Sequence, residues 1–256
     1  CEMDGHFPNH FPDPTVEKNV DTLQKTVLET GADVGIGYDG DGDRIGVVDE
    51  KGNSIWGDYL MIIFARDMLK ERAGAAFVSE VKCSRNLYDD IEKRGGKAVM
   101  WKTGHSLIKQ KMKEVDAVLA GEMSGHMFFA DKFFGFDDAI YASLRLLELM
   151  GRETQPLSQL LSDLPKTYST PEIRVACPEN EKFGVVKELT DYYRRKFPVI
   201  DIDGVRLTMP DGWGLVRASN TQAILVLRFE ADSERALERA RRLRHHGMTQ
   251  HAHERR

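Results

Sequence analysis

The sequence concentrates three carboxylates and a guanidinium in residues 39–44, which read Asp-Gly-Asp-Gly-Asp-Arg. Apolar segments flank this run on both sides, so the pattern predicts a strand, a tight loop and a second strand. Alternation places the three aspartates on one side, and the glycines let the backbone curl until the carboxylate oxygens converge. Such close negative charges repel unless a cation lies among them, and hard oxygen ligands in this number suit Mg2+. We therefore predict a magnesium site formed by Asp39, Asp41 and Asp43.

Two other interpretations of this run stay open. Aspartate and glycine are also the common residues of a simple hairpin turn. The three aspartates and Glu50 also fall at the first, third, fifth and twelfth positions of an EF-hand calcium loop. Arg44, however, replaces the glycine that such a loop requires, and strands rather than helices are predicted beside the run.

The composition is that of an ordinary soluble globular protein. The 256 residues allow one large or two smaller domains, and the net charge of −5 argues against a general nucleic-acid binder. No apolar run approaches the roughly 20 residues that span a bilayer, so we expect no membrane association. Cys1, Cys83 and Cys177 show no paired spacing, which favours a reducing compartment. We expect a cytoplasmic monomer, although no residue pattern specifies the oligomeric state.

Strands and helices alternate between residues 58 and 150, which is typical of a doubly wound α/β unit. In such sheets, ligands bind beyond the carboxyl ends of the strands. The segments that follow predicted strands carry polar groups, and we expect them to bring four side chains to one rim: Lys82, His105, Glu122 and His126. We also predict that three side chains begin helices of this unit as N-caps: Asp58, Ser84 and Asp137.

The alternation is lost near Pro165, where we place a domain boundary. Beyond it, a strand, a helix and four further strands predict a smaller α+β domain with an antiparallel sheet. A helix from Ser233 to about Arg244 closes this domain. The tail that follows is interpreted as solvated sequence and contains His245, His246, His251 and His253.

The basic and acidic groups of the α/β unit suit phosphate chemistry. Phosphoryl transfer needs cations that hold the phosphate oxygens and a group that exchanges a proton with the alcohol oxygen. Lys82 and His126 can exchange that proton, although a solvated lysine and a structural histidine are the plainer interpretations. Glu122 and Ser124 can hydrogen-bond adjacent hydroxyls of a sugar, unless this is an ordinary loop with a capping serine.

A second polar loop, residues 217–221, suits a phosphate monoester. It offers a guanidinium, two hydroxyls, an amide and backbone N–H groups, from Arg217, Ser219, Asn220 and Thr221. The alternative is a hairpin turn rich in turn-forming residues.

Three of these motifs occur in the order and spacing of the α-D-phosphohexomutases: residues 39–44, 121–126 and 217–221. The chain most resembles the bacterial phosphomannomutase/phosphoglucomutase type, and residues 7–14 and 102–105 resemble that family too. The family reaction moves a phosphate between C1 and C6 of a hexose through a bisphosphorylated intermediate. Mannose and glucose phosphates cannot be ranked as substrates from the loop.

The resemblance implies a doubly wound mixed sheet for the α/β part of the chain and a role for each candidate residue. Asp39, Asp41 and Asp43 match the Mg2+ ligands, and Arg44 matches the neighbouring active-site arginine. Lys82 and His126 match positions of proton transfer. Glu122 and Ser124 match the loop that binds sugar hydroxyls, and His105 matches a further substrate contact. The non-reacting phosphate would contact four residues: Arg217, Ser219, Asn220 and Thr221.

One departure from the family concerns the phosphate donor, a phosphoserine in a Ser-His-Asn-Pro-like loop. No Ser-His-Asn-Pro sequence occurs in these 256 residues. We therefore expect a fragment that lacks the catalytic serine and has no mutase turnover alone. Its parts would be the end of the metal-binding domain, the sugar-binding α/β domain and the phosphate-binding α+β domain, at residues 1–53, 54–165 and 166–256.

Two rival functions remain at this stage. Asp39-Gly-Asp-Gly42 superficially matches the Asp-x-Asp-Gly motif of haloacid-dehalogenase-type phosphatases, in which the first aspartate is the nucleophile. Asp43 replaces the usual threonine or valine there, and a second strand follows at once. The other rival is a Ca2+-binding or sugar-phosphate-binding module without catalysis.

Overall fold

The computed structural model describes residues 4–242. The chain divides into two compact units, with the division between Leu164 and Pro165. The first unit contains these elements in chain order: α1 (Glu17–Thr30), β1 (Val34–Tyr38), β2 (Ile45–Asp49), β3 (Ser54–Ile55), α2 (Gly57–Glu71), β4 (Ala76–Glu80), α3 (Arg85–Lys93), β5 (Lys97–Trp101), α4 (His105–Glu114), β6 (Ala117–Gly121), β7 (Met127–Phe129), α5 (Ala139–Met150) and a short 3-10 helix (Leu157–Gln159).

The first unit holds two sheets. Strands β1, β2 and β3 form an antiparallel sheet, and the other sheet has the order β5-β4-β6-β7. In the second sheet β4 is parallel to β5 and β6, whereas β7 is antiparallel to β6. The predicted mixed sheet is therefore confirmed.

Both faces of the four-stranded sheet are buried. Phe77 and Leu119 point into a core that includes residues of α2, α3 and α5. Their neighbours Val78 and Ala120 point to the opposite face, where α4 contributes Ile108. Because successive side chains of a strand alternate between faces, burial of both faces favours apolar residues at consecutive positions, as at Phe77 and Val78 of β4 and at Leu119 and Ala120 of β6. This is the predicted doubly wound arrangement.

The strand order reverses direction at β4. The chain leaves β4 towards β5 on one side, and then crosses to β6 on the other side. Such a reversal opens a crevice at the carboxyl ends of the strands, where α/β proteins bind ligands. The polar segments that follow β4, β5 and β6 all lie at this edge.

The second unit is an antiparallel sheet with helices, as predicted. Its elements are β8 (Tyr168–Ser169), β9 (Ile173–Ala176), α6 (Lys182–Arg194), β10 (Val199–Ile200), β11 (Val205–Met209), β12 (Gly212–Ala218) and β13 (Ile224–Ala231). The sheet order is β10-β11-β12-β13-β8, and β9 also pairs with β13. Residues 234–242 are helical. The predicted end of that helix and the four tail histidines lie outside the described residues.

The three predicted N-caps have different outcomes. Ser84 caps α3, because its side chain accepts a hydrogen bond from the Asn86 N–H. The prediction for Asp58 was wrong, since Trp56 is the N-cap of α2. Asp58 accepts a hydrogen bond from the Ser84 N–H instead. A carboxylate one residue inside the helix can reach a neighbouring loop, and Asp58 thereby ties α2 to the segment after β4.

Asp137 was also wrong as a helix cap. The N-cap of α5 is the next residue, Asp138, whose side chain accepts a hydrogen bond from the Tyr141 N–H. Asp137 is directed elsewhere and belongs to the candidate site described below. Among the described residues, no helix has the length and apolar character that crossing a membrane requires.

Candidate active site

The aspartate loop, residues 39–44, is organised by the side chain of Asp39. Its Oδ1 accepts hydrogen bonds from the backbone N–H groups of Gly42, Asp43 and Arg44, each at 3.1 Å. Gly42 has a φ of +76°, which a residue with a side chain rarely adopts. The buried carboxylate and the glycine together fold the backbone into the tight bend that the sequence predicts.

Arg44 neutralises part of the negative charge of the loop. Its Nε donates to Asp39 Oδ2 at 2.6 Å, and its Nη1 lies 3.4 Å from Asp13 Oδ1. Burial raises the pKa of Asp39, but the hydrogen bonds from Arg44 outweigh it and leave that pKa below its usual value. Asp39 is therefore ionised at neutral pH, and Arg44 is a structural partner of the loop.

Asp43 is the aspartate of the loop whose pKa is raised. Burial raises its pKa, and the hydrogen bond and charge of Asp39 raise it further, against the opposing effect of His126. One ligand oxygen from each of Asp39, Asp41 and Asp43 lies within 4.8 Å of the others. A bound dication would relieve this repulsion. The oxygens thus converge, as an oxygen-liganded metal requires.

The flanks of the loop exclude an EF-hand. The loop joins β1 to β2, which pair antiparallel with Tyr38 opposite Ile45. An EF-hand needs a helix on each side of the loop. Glu50, the residue that would be the twelfth ligand, is instead hydrogen-bonded to the backbone of Ser158.

The aspartate loop packs directly on the segment after β6, which we call the sugar loop (residues 121–126). Arg44 and His126 form an isolated antiparallel bridge, and the Ile45 N–H donates to the Gly125 carbonyl at 3.1 Å. Gly125 has a φ of +94°, and a Cβ there would lie 2.4 Å from the Ile45 carbonyl oxygen. Only glycine permits this approach, which places the two loops side by side.

Glu122 and His126 form the polar centre of the sugar loop. Glu122 Oε1 accepts from the Gly104 N–H at 2.7 Å, and Oε2 lies 2.8 Å from His126 Nδ1. Burial raises the pKa of Glu122, but the hydrogen bond and charge of His126 bring it below its usual value. Burial lowers the pKa of His126, and Glu122 more than offsets this effect, so the pKa of the imidazole is raised. The pair therefore favours a carboxylate and an imidazolium.

Ser124 joins this pair, and His126 also reaches the aspartate loop. Ser124 Oγ lies 2.9 Å from His126 Nδ1 and 3.4 Å from Glu122 Oε2. The other ring nitrogen of His126, Nε2, lies 3.3 Å from Asp43 Oδ1. The imidazole thus bridges the predicted metal ligands and the predicted sugar-binding carboxylate.

Glu80 is a buried carboxylate that we did not predict from the sequence. Its Oε2 accepts from the Lys82 N–H and the Thr103 hydroxyl, both at 2.9 Å, and its Oε1 accepts from the Met123 N–H at 3.3 Å. The Lys82 ammonium lies 3.7 Å from Oε1. Glu80 therefore ties together the segments that follow β4, β5 and β6.

Asp137 and Lys109 are further residues that the sequence reasoning missed. Lys109 Nζ donates to Asp137 Oδ1 at 3.0 Å, and Nδ1 of the exposed His105 lies 3.2 Å from Oδ2. The adjacent carboxylates at 137 and 138 could have indicated this role, because only one of them can cap α5 and the other is then available for a different contact. The structure brings the predicted residues of the first unit into one region around these groups.

The predicted phosphate loop, residues 217–221, lies in the second unit and includes the end of β12 and part of the turn that leads to β13. Arg217 is buried, and its Nε donates to Asp203 Oδ2 at 3.0 Å. Ser219 Oγ accepts from the N–H groups of Thr221 and Gln222, so this serine shapes the loop. Lys182, another residue not predicted, donates from its buried side chain to the Gln222 carbonyl at 3.1 Å. Asn220 and Thr221 are exposed at the tip.

Comparisons with known proteins agree with this architecture. Three consecutive domain models of phosphoglucomutase/phosphomannomutase match the chain: α/β/α domain II at residues 1–52, α/β/α domain III at 56–168, and the C-terminal domain at 172–243. The phosphomannomutase/phosphoglucomutase of Pseudomonas putida is 49% identical over 240 residues, which are 93% of this chain and 52% of that protein. The phosphoglucomutase of Neisseria gonorrhoeae is 47% identical over 242 residues, with the same coverage.

A solved structure supports the same relationship. A phosphoglucomutase/phosphomannomutase family protein of Burkholderia thailandensis superposes with a TM-score of 0.88 at 42% identity, covering 96% of this chain and 53% of that one. The chain spans about half the length of the curated relatives it matches. The matched domains follow one another in order along nearly the whole sequence. The chain therefore belongs to the phosphoglucomutase/phosphomannomutase family.

Proposed function

We propose that this chain provides metal-binding, sugar-binding and phosphate-binding parts of a phosphohexomutase that interconverts hexose 1-phosphates and 6-phosphates of mannose or glucose. The observation that carries the proposal is the direct packing of the aspartate loop on the sugar loop. Carboxylates that suit a dication and groups that suit sugar hydroxyls and proton transfer thereby share one region. A reaction on a phosphorylated sugar needs all three: a dication for the phosphate, hydrogen-bonding groups for the hydroxyls and a group for proton transfer.

Mg2+ is the metal that fits the aspartate loop. Asp39, Asp41 and Asp43 would hold it through three carboxylate oxygens, and all three are hard ligands of the kind Mg2+ prefers. When bound, the ion would neutralise charge that develops on a transferring phosphoryl group. Arg44 would keep Asp39 ionised and in place, so that the loop retains its shape with and without the metal.

Lys82 and His126 are the groups that can exchange a proton with the reacting sugar oxygen. The Lys82 side chain is buried at the ligand edge of the sheet, and Nε2 of His126 faces the aspartate loop. Glu122 holds the imidazole by its other nitrogen, so the reactive nitrogen has a defined direction. We assign His126 and Lys82 to proton transfer, with Glu122 as the partner that orients the histidine.

Each unit by itself carries candidate substrate contacts. A carboxylate has about four acceptor positions, so Glu122 retains one position for a sugar hydroxyl after accepting from Gly104, His126 and Ser124. Ser124 and the exposed His105 are the other candidate contacts of the first unit. We assign the non-reacting phosphate to Arg217, Ser219, Asn220 and Thr221 of the second unit, because a guanidinium, hydroxyls and N–H groups suit a dianion.

The phosphatase and Ca2+-module alternatives find no support. A nucleophilic Asp39 would attack substrate through Oδ2, because Oδ1 accepts three backbone N–H groups; the bond that Oδ2 accepts from Arg44 lowers its nucleophilicity but leaves a second lone pair for a cation. A Ca2+ site of the EF-hand kind lacks both of its helices. The relatives named above are mutases, and none is a phosphatase.

Replacement of Asp41 with asparagine is expected to weaken Mg2+ binding at least tenfold with little change in stability. Asp41 is exposed, so its charge contributes to the metal site and little to packing. Titration calorimetry of Mg2+ into both proteins measures the difference. The matched control is Asp21→Asn, an exposed aspartate of α1, which should bind Mg2+ as the original chain does. Equal affinities of Asp41→Asn and the control would contradict the proposed site.

A polypeptide of these 256 residues is expected to bind hexose phosphates without interconverting them, because it contains no Ser-His-Asn-Pro sequence to carry the transferred phosphate. Calorimetry with glucose 6-phosphate or mannose 6-phosphate measures binding, and a coupled assay for glucose 6-phosphate formed from glucose 1-phosphate measures turnover. Sugar phosphate binding that Mg2+ leaves unchanged and Asp41→Asn does not weaken would refute the proposal. Serine-independent turnover would refute the assignment of the missing donor.

A further inference from the structure

A second group of metal-ligating atoms lies beside the aspartate loop. Asp43, His126 and Asp137 each place one ligand atom within 4.8 Å of the other two. His126 Nε2 and Asp43 Oδ1 are 3.3 Å apart. Two ligands that each lie about 2.0–2.1 Å from a tetrahedral ion are separated by about 3.3 Å. This edge of the group therefore already has the length that a tetrahedral site needs.

The imidazole of His126 is oriented as metal-bound histidines are. Its Nδ1 lies 2.8 Å from the carboxylate of the buried Glu122. A carboxylate that holds the proton on one ring nitrogen leaves the other nitrogen to bind a metal in exchange for its own proton, and it also increases the basicity of that nitrogen. In this structure the second nitrogen, Nε2, faces Asp43.

Asp137 is held in position by groups outside the cluster. Lys109 Nζ donates to Oδ1 at 3.0 Å, and His105 Nδ1 lies 3.2 Å from Oδ2. Metal-binding carboxylates commonly have such outer partners. Two of the three candidate ligands thus have a fixed direction before any metal binds.

We propose that Asp43, His126 and Asp137 bind a transition-metal dication such as Zn2+, with water as the fourth ligand. One imidazole nitrogen and two carboxylate oxygens suit Zn2+ and Co2+, whereas Mg2+ prefers oxygen alone. Because Asp43 belongs to both groups, the Zn2+ site and the Mg2+ site exclude each other. The inference concerns metal binding alone, so it stands or falls independently of mutase activity.

The test is the visible spectrum of Co2+, added to the full chain at stoichiometric concentration and constant pH. Four-coordinate Co2+ has far more intense d–d bands than the six-coordinate ion, so the bands report this site and not an all-oxygen site. In every protein tested, glutamine replaces His245, His246, His251 and His253, because imidazoles bind Co2+ on their own. The variants on this background are Asp137→Asn, Asp41→Asn and His126→Gln.

The expected result is intense bands that saturate at one Co2+ per chain. Asp41→Asn should keep them with an affinity within about threefold, because Asp41 belongs only to the Mg2+ group. Asp137→Asn should lose the bands or bind at least about tenfold more weakly. Its Mg2+ affinity, measured by calorimetry, should remain within about threefold.

Two results would overturn the proposal. One is a background protein that shows only the weak six-coordinate spectrum. The other is an Asp137→Asn or His126→Gln protein that keeps the intense bands with unchanged affinity. Circular dichroism verifies that each variant is folded. His126→Gln removes the nitrogen ligand and keeps Asp137, so the inference stays testable if Asp137→Asn does not fold.

Discussion

Replacing Glu80 with alanine is expected to lower the free energy of unfolding of the first unit by about 3–5 kcal/mol, the usual cost of removing one partner of a buried ion pair. Glu80 is fully buried, and burial raises its pKa, against the opposing effect of the Lys82 charge. Without the carboxylate, the Lys82 N–H, the Thr103 hydroxyl and the Met123 N–H lose the acceptor that Glu80 provides inside the protein. The substrate edge should loosen together with the fold.

Glu80→Gln removes the charge of the side chain and keeps its size and shape, so it measures the contribution of the charge. An amide keeps one acceptor oxygen but replaces the other with an NH2 donor. If the NH2 group replaces Oε2, the donors of Lys82 and Thr103 lose their acceptor, and if it replaces Oε1, the Met123 N–H does. We expect Glu80→Gln to cost about 1–3 kcal/mol, less than Glu80→Ala. Glu92→Ala, at an exposed glutamate of α3, is the matched control and should change stability by less than about 0.5 kcal/mol.

Amide hydrogen exchange along a urea series measures these free energies for peptides of the first unit alone. Restricting the analysis to residues 54–164 avoids a contribution from unfolding of the second unit. If Glu80→Ala unfolded at the same urea concentration as Glu92→Ala, the linking role of Glu80 would be wrong.

Replacing Gly57 with alanine is expected to lower the free energy of unfolding by about 1–3 kcal/mol and to weaken sugar phosphate binding. A Cβ at Gly57 would lie 2.3 Å from the Glu122 carbonyl oxygen, and 2.9 Å from both the Gly125 nitrogen and the Met123 carbonyl oxygen. All three atoms belong to the backbone, so no side-chain rotation relieves the overlap, and the loop must move. The movement would displace Glu122 from His126 and the sugar loop from the aspartate loop.

The control for Gly57→Ala makes the same chemical change where space is open. Gly184 lies in α6, and a Cβ there would meet no atom within 4 Å. Alanine favours a helix over glycine by about 0.5–1 kcal/mol, so Gly184→Ala should be neutral or stabilising. Urea denaturation and calorimetry with glucose 6-phosphate compare the two variants. An equally stable Gly57→Ala protein with unchanged affinity would show that the close approach is unimportant.

Local patterns allowed the aspartate loop and the fold class to be predicted. The bend at residues 39–44 depends on neighbours in the sequence, since Asp39 binds backbone groups only three to five residues away. The alternation of strands with helices likewise follows from hydrophobic periodicity, and the doubly wound α/β class was predicted from it. Such features need no knowledge of contacts between distant segments.

The residues that were missed depend on distant contacts. Glu80 sits in a buried strand, where a charge is costly unless partners compensate it, and its partners Thr103 and Met123 come from other loops. Asp58 and Asp137 were assigned as helix caps because their neighbours begin helices. One of them instead binds the loop after β4, and the other lies beside His105. Local capping rules cannot distinguish these uses, because both require a carboxylate near a helix start.

The most direct test of the account is the position of a divalent ion in crystals of the chain soaked in Mn2+, which replaces Mg2+ at oxygen sites and scatters anomalously. The account predicts an anomalous difference peak within bonding distance of carboxylate oxygens of Asp39, Asp41 and Asp43. No peak at the aspartate loop under saturating Mn2+, or a peak only at other residues, would contradict it.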